Sequence, residues 1–260
     1  MRFVYGEVGL PVDRRLFVPE TIYVREGGWL VPLRRSERPE EWERLVGMDD
    51  AVTTRTDEGE PRLSGVVYPA GKGFFPTSSS SAPGVMARMI RALDVRPGMR
   101  VLEIGTGTGY NAACLAALGC EVVSVEIERD LAERARASLE AAGVGGVVVV
   151  CGDGELGVPG CAPFDRVVAT AAAHTIPYAW VEQTRDEGLI VAPYTGEAHR
   201  AALLVLRVHD GTAIGGMEGG AGFMPLRGQG LEPAVVNAIE DRVGVRVEVT
   251  RGGQRVWGDC

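Results

Sequence analysis

A buried-type strand that runs straight into three alternating glycines is the tightest constraint on this chain. The stretch RVLEI (residues 100–104) is followed by Gly105, Gly107 and Gly109 in GTGTG, and a helical run opens at Tyr110. Glycine lets the backbone turn tightly and lets a ligand lie against it without a side chain between them. A helix that starts there leaves free N–H groups facing the turn. Strand, glycine turn and helix together predict one unit of a parallel sheet, with a ligand crevice at the carboxyl ends of its strands.

The flanking pattern repeats that unit. Residues 83–93 place Val85, Met86, Met89, Ile90 and Leu93 at helical spacings of three and four. The run at residues 110–118 reads as a helix stopped by Gly119, and residues 121–127 as a second strand. Residues 131–142, rich in Ala, Glu and Arg, read as a helix ended by Gly143. Strands follow at 147–151 and 164–170, then a helix at 177–184 and a strand at 189–193. The apolar run 201–208 reads as a strand at the antiparallel end of the sheet. The reading is α/β, with helices on both faces of a mostly parallel sheet.

The ends read differently. Residues 1–76 look irregular, with a short helix around residues 39–45 that has Pro39 in its first turn. Beyond the segment FMPL (residues 223–226), a helix around residues 233–242 and a Val-rich strand at 243–249 are expected. This gives three parts: 1–76, a core at 77–228, and an added segment at 229–260.

Composition excludes several classes of function. The chain of 260 residues carries a formal charge of -8, and Lys72 is its only lysine. Nucleic-acid binding, which needs clustered Lys and Arg, is disfavoured. No apolar run approaches the ~18 residues of a membrane helix. The first ten residues lack a charged-then-apolar leader pattern, so a cytoplasmic protein is expected. Cys114, Cys120, Cys151, Cys161 and Cys260 form no CxxC pair and suggest neither a disulfide framework nor a zinc site.

Two acids sharpen the ligand. Glu126 ends the second strand, and an acid there can accept both hydroxyls of a ribose. Asp153, in CGDG after the third strand, sits where it can accept from an adenine amino group. Each alone is an ordinary residue: a solvated charge, or an Asp-Gly turn. At successive strand ends beside a glycine turn, they point to adenosine. The GxGxG spacing departs from the GxGxxG of nicotinamide dinucleotide sites, which disfavours that cofactor.

These residues together resemble the class I methyltransferases and, within them, the protein-L-isoaspartate O-methyltransferases. The resemblance rests on PGMRVLEIGTGTGY (97–110), SVEI (124–127), GDG (152–154), APFDRV (162–167), TAAA (170–173) with Ile176-Pro177, and FMPL, and it covers about residues 76–228. It implies a Rossmann-like sheet of seven strands and S-adenosyl-L-methionine as cofactor. The implied cofactor-binding residues are Ser78, Ser79, Glu103, Gly105, Thr106, Gly107, Thr108, Gly109, Asn111, Glu126, Ile127, Asp153 and Gly154. The segment PTSSSSAP (76–83) lies where the family has a lid. By that match Ser81 lies next to the substrate carboxylate, with Ser80 beside it as the second catalytic candidate. Ser80 departs from the family by replacing an apolar residue, and Gly84 by replacing a His or Tyr.

What the resemblance implies is a peptide or protein substrate bearing Asp or isoaspartate. Composition leaves no expectation of a nucleic-acid or membrane partner, and no metal is expected. The sequence does not fix the oligomeric state, although a monomer is favoured. The altered lid and the added ends resemble the subgroup found with ribosomally made, modified peptides. That subgroup methylates an ordinary Asp of a constrained peptide to give an aspartimide. An ionised carboxylate, with a pKa near ~4, is already a nucleophile, so no general base is expected and His174 has no assigned chemical role.

Overall fold

The computed structural model describes residues 9–58, 67–195, 201–229 and 245–258. Its larger sheet is built around β5 (Arg100–Ile104), β6 (Glu121–Glu126), β7 (Val147–Cys151), β8 (Phe164–Ala169) and β9 (Thr184–Tyr194), which are mutually parallel. Then β10 (Ala202–His209) and β11 (Thr212–Gly220) add antiparallel strands, completing the seven strands expected of the core. The C-terminal hairpin β12 (Val245–Thr250) and β13 (Gly253–Gly258) extends it further, giving the order β13-β12-β11-β10-β9-β8-β5-β6-β7. The expected strand at 243–249 is β12. The expected helix at 233–242 lies outside the described residues.

Alternation within the strands divides the core into two layers. Val101, Val122, Val168, Val191 and Leu203 enter one apolar cluster; their neighbours Leu102, Val123, Val167, Ile190 and Leu204 enter the other. This is the period-two consequence of the pleat on strands covered from both sides. The first cluster takes in α2 (Pro83–Leu93), α3 (Tyr110–Ala117) and α4 (Arg129–Ala141), through Met86, Met89, Leu93, Leu115, Ala132 and Leu139. The second is capped by α5 (Tyr178–Glu182), which buries Trp180 and Val181.

The chain runs outward from β5 to β6 and β7, then returns to β8 on the other flank of β5. The crevice between the carboxyl ends of β5 and β8 is therefore a topological switch point. Thr170, just past β8, closes its floor. Its N–H donates to the Ile104 carbonyl at 2.8 Å, and its hydroxyl donates to the Gly105 carbonyl.

The N-terminal part differs from the irregular segment expected. Strands β1 (Thr21–Glu26), β2 (Trp29–Arg34), β3 (Val52–Thr56) and β4 (Pro76–Ser80) form a four-stranded antiparallel sheet in the order β2-β1-β3-β4. Gly27 and Gly28, both at positive φ, make the two-residue turn between β1 and β2. Helix α1 (Pro39–Val46), with Pro39 in its first turn, buries Trp42 and Val46 against Ile22 and Leu33. The serine run is thus the sheet's last strand rather than a bare linker.

Candidate active site

A cavity of about 350 Å³ opens at the switch point. It is lined by the glycine turn, β4 with Ser81, the ends of β6 and β7, and the segment after β11. Of the residues expected from sequence, Ser78, Ser79, Ser80, Ser81, Gly105, Thr106, Gly107, Thr108, Asn111, Glu126, Ile127, Asp153 and Gly154 line it. Glu103 and Gly109 do not.

The glycine turn needs its glycines. Gly105, Gly107 and Gly109 sit at φ of 90°, 53° and 85°, the left-handed region that side-chain-bearing residues avoid. A Cβ on Gly105 would lie 2.9 Å from the Thr170 hydroxyl. Gly109 is the N-cap of α3 and packs toward Ala135 and Leu139, behind the wall of the cavity.

Glu126 is the last residue of β6 and is nearly buried. Its Oε2 accepts from Gly107 N–H at 2.9 Å and its Oε1 from Glu128 N–H at 3.1 Å. Each carboxylate oxygen keeps a second lone pair for a ligand. Asp153 accepts from Glu155 N–H at 2.9 Å through Oδ1, which leaves Oδ2 without a bond among the described residues. Beside the two acids, Ile127 is 46% exposed, an apolar surface at the acidic end of the cavity. Bare backbone at one end and two anchored acids with an exposed aliphatic side chain at the other fit an adenosyl amino acid. The cavity volume falls within the usual range for a small-molecule site.

Glu103 acts from underneath. Fully buried, it accepts from Asn111 Nδ2 at 2.7 Å and from Ser124 Oγ at 2.5 Å, and Ser124 in turn lies 2.6 Å from Thr106 Oγ1. Burial pushes its carboxyl up to about 7, against the pull of the Ser124 and Asn111 hydrogen bonds and with a further push from Glu126. The folded state therefore holds this proton between about pH 4.5 and 7, where the unfolded chain has lost it. Stability from this group is highest at low pH, falls as pH rises across that window, and levels off above it. Glu103→Gln keeps the acceptor for Asn111, and its amide can donate to Ser124 while Ser124 donates to Thr106. The variant should lose the pH slope, gaining on the order of 3 kcal/mol over the wild type between pH 5 and pH 8. Urea unfolding of both proteins at the two pH values measures this; an equal offset at both would contradict it.

The four serines divide by strand alternation. Ser78 and Ser80 are buried, while Ser79 and Ser81 are partly exposed. Ser78 Oγ accepts from Thr54 Oγ1 at 3.2 Å, and Ser80 Oγ accepts from Arg14 Nε at 3.0 Å. The polar residue at position 80 is thus matched by a buried arginine from the N-terminal segment. The hydroxyls of Ser79 and Ser81 make no hydrogen bond within the described residues.

Several lining residues were not among those expected. The segment after β11 contributes Met224, Pro225, Leu226 and Arg227. It is tied to the core by Ala172 N–H to the Met224 carbonyl (2.7 Å) and Leu226 N–H to the Ala172 carbonyl (2.8 Å). Gln229 then accepts from His174 and Thr175 N–H and donates to Glu155. Glu128 receives Arg227 at 3.1 Å from this segment and Arg55 at 3.2 Å from β3. The FMPL motif marked the segment, but no local pattern tied Arg55 or Arg227 to Glu128. His174 does not line the cavity; its Nδ1 lies 2.8 Å from the Thr195 carbonyl oxygen.

A family model described as protein-L-isoaspartate(D-aspartate) O-methyltransferase matches residues 70–230, well over half of the chain. The chain belongs to that family. It is accordingly an S-adenosyl-L-methionine-dependent carboxyl O-methyltransferase of the isoaspartate type. Among its relatives, the protein-L-isoaspartate O-methyltransferase of Methanoculleus marisnigri is 44% identical over 161 residues, covering 62% of this chain and 71% of that one. The Pyrococcus horikoshii protein of the same name is 41% identical over 152 residues, covering 57% and 69%. A solved protein-L-isoaspartate O-methyltransferase superposes with a TM-score of 0.60 at 25% identity, over 84% of this chain and 77% of that one. A Plasmodium falciparum structure of that description, in complex with S-adenosyl-L-homocysteine, shares the fold with a TM-score of 0.51 at 19% identity, over 62% and 79%. The matched span leaves most of the N-terminal sheet and the β12–β13 hairpin outside the family model.

Proposed function

We propose that this isoaspartate-type methyltransferase esterifies an isoaspartyl or aspartyl carboxylate presented by a peptide or protein at the rim of the switch-point cavity. The observation that carries the reading is the pair of acids, Glu126 and Asp153, at neighbouring strand ends facing a glycine turn that no side chain obstructs. Glu126 is placed to accept both ribose hydroxyls and Asp153 the adenine amino group, while Gly105 and Gly107 leave room for the amino-acid end. When bound, the cofactor supplies a methyl group already activated by its positive sulfur.

The protein's part is alignment and exclusion of water. The acceptor carboxylate is ionised at neutral pH, so no group has to remove a proton from it. Ser79, on the accessible face of β4, and Ser81, just past its end, are placed to donate hydrogen bonds to that carboxylate and hold one oxygen in line. Ser78 and Ser80 are positioning residues that fix the strand from its buried face. Met224, Pro225 and Leu226 form an apolar wall that keeps bulk water from the reacting atoms. Methoxide leaves the product ester far more readily than an oxide leaves the free carboxylate. Attack by the following backbone nitrogen forms a C–N bond and expels methanol, closing an aspartimide without help from the chain.

Incubation with methyl-labelled cofactor tests this on two acceptors, an isoaspartyl peptide and a ring-constrained peptide with an ordinary Asp. Label should enter a base-labile ester and leave as methanol. Whichever acceptor turns over faster by kcat/KM is the better model of the natural substrate. No transfer to either, from protein that binds S-adenosylhomocysteine, would overturn the assignment.

A further inference from the structure

Next to the cavity, at the start of β4, lies a group of aromatic rings that the reaction does not use. Trp29 packs edge-on against Tyr68 at 5.3 Å and Phe74 at 5.7 Å, and Phe74 packs against Phe75 at 4.9 Å. All four residues are only half-buried. Phe74 and Phe75 lie in a bend rather than in regular strand, which brings two consecutive rings together. Asp57, itself buried, holds that bend. Its Oδ1 accepts from Phe74 and Phe75 N–H at 2.7 and 2.9 Å, and its Oδ2 accepts from the Tyr68 hydroxyl at 2.8 Å. Arg25 braces the other side, donating to the Gly28 and Phe74 carbonyls. A buried carboxylate and an arginine thus hold large rings in place at a surface, where a fold seeking only stability would bury them.

Position says what these rings can meet. Phe75 directly precedes Pro76 and Thr77, which line the cavity. A cavity of about 350 Å³ is of small-molecule size, so most of a polypeptide substrate must lie outside it. An extended chain advances about 3.3 Å per residue, so neighbours of the acceptor reach the rim of the cavity within one or two residues.

We infer that Trp29, Tyr68, Phe74 and Phe75 form a preorganised shelf that docks apolar side chains flanking the methyl-accepting residue of the substrate. This rests on the functional reading above and adds a substrate class to it: peptides with bulky apolar residues close to the reacting Asp or isoaspartate. Rigid rings lose little freedom on contact, so the shelf favours such flanks over glycine or serine. Tyr68 reaches Asp57 through its side chain, whereas Phe74 bonds it only through its backbone N–H and Trp29 is not among its partners, so Trp29 and Phe74 can be changed while the Asp57 hydrogen bonds stay.

The test reads binding, so it does not depend on turnover. Two fluorescein-labelled isoaspartyl dodecapeptides, one flanked by Leu and Phe and one by Gly and Ser, are titrated by anisotropy against protein saturated with S-adenosylhomocysteine. The wild type should bind the apolar peptide about tenfold more tightly, a difference of about 1.4 kcal/mol. Trp29→Ser and Phe74→Ser should each shrink that preference to about twofold or less. Equal affinity of the wild type for both peptides, or a preference that survives in both variants, would overturn the shelf. Protein that shows the apolar preference but transfers no methyl group would overturn the functional reading instead.

Discussion

Glu126→Ala is expected to weaken S-adenosylhomocysteine binding by about a hundredfold or more while leaving the protein folded. The carboxylate sits at the end of β6 with one lone pair of each oxygen committed to the backbone N–H groups of Gly107 and Glu128. Those two bonds hold it rigid and hold the glycine turn beside it, so the ligand finds both acceptors already in place. A hydrogen bond to a charged group is worth about 1.5–3 kcal/mol, and a ribose offers two hydroxyls. Losing both, with some slack gained in the turn, gives about 3 kcal/mol or more. Glu126→Gln keeps one acceptor oxygen and should cost about tenfold. Calorimetric titration of the three proteins provides the numbers. A change of less than threefold in Glu126→Ala, in protein with an unaltered melting temperature, would show that the adenosine is held by other groups.

The parts of this protein legible in its sequence are those where a local rule meets a fully buried strand. Residues 100–110 announce a strand, a turn with left-handed glycines and a helix start. The placement of Glu126 and Asp153 follows from counting strand ends. Helix α2 was readable because Met86, Met89, Ile90 and Leu93 all face one layer of the core. The N-terminal sheet is not readable, because each of its strands buries at most two apolar residues and Thr, Arg and Ser fill most of β3 and β4. The strongest hint was Gly27-Gly28 between two β-branched and aromatic runs. The serine run has weak strand propensity by itself and is a strand because β3 and the buried partners Thr54 and Arg14 make it one. Glu103 shows the same limit at the site. Its place in the motif suggested contact with the ligand, whereas the pleat turns it into the interior beneath Asn111.

Arg14→Met should lower stability by about 3 kcal/mol and carry methyl transfer down with it. Arg14 lies in a single 3-10 turn (Arg14–Leu16), a position with no sequence signature, and yet its side chain is completely buried. Its guanidinium donates to the Ser80 carbonyl at 2.6 Å and the Ser80 hydroxyl at 3.0 Å. It also reaches the Met48 carbonyl at 3.3 Å and the Val46 carbonyl at 3.5 Å. One planar fork thereby joins the N-terminal turn, the end of α1 and the last residue of the serine strand, which a lysine ammonium cannot do from a single point. Methionine fills similar volume but leaves buried carbonyls without donors, at about 1–3 kcal/mol for each group left unsatisfied. For a chain of this size, about 3 kcal/mol corresponds to a fall in melting temperature on the order of 10 °C. Ser79 and Ser81 flank Ser80, so loosening that residue should raise KM for the carboxyl peptide more than it raises the Kd for S-adenosylhomocysteine. Arg14→Lys should fall between the two proteins in both respects. If Arg14→Met melts within about a degree of the wild type, or if cofactor and peptide affinities fall together, then the fork does not hold the serine strand in register with the cavity.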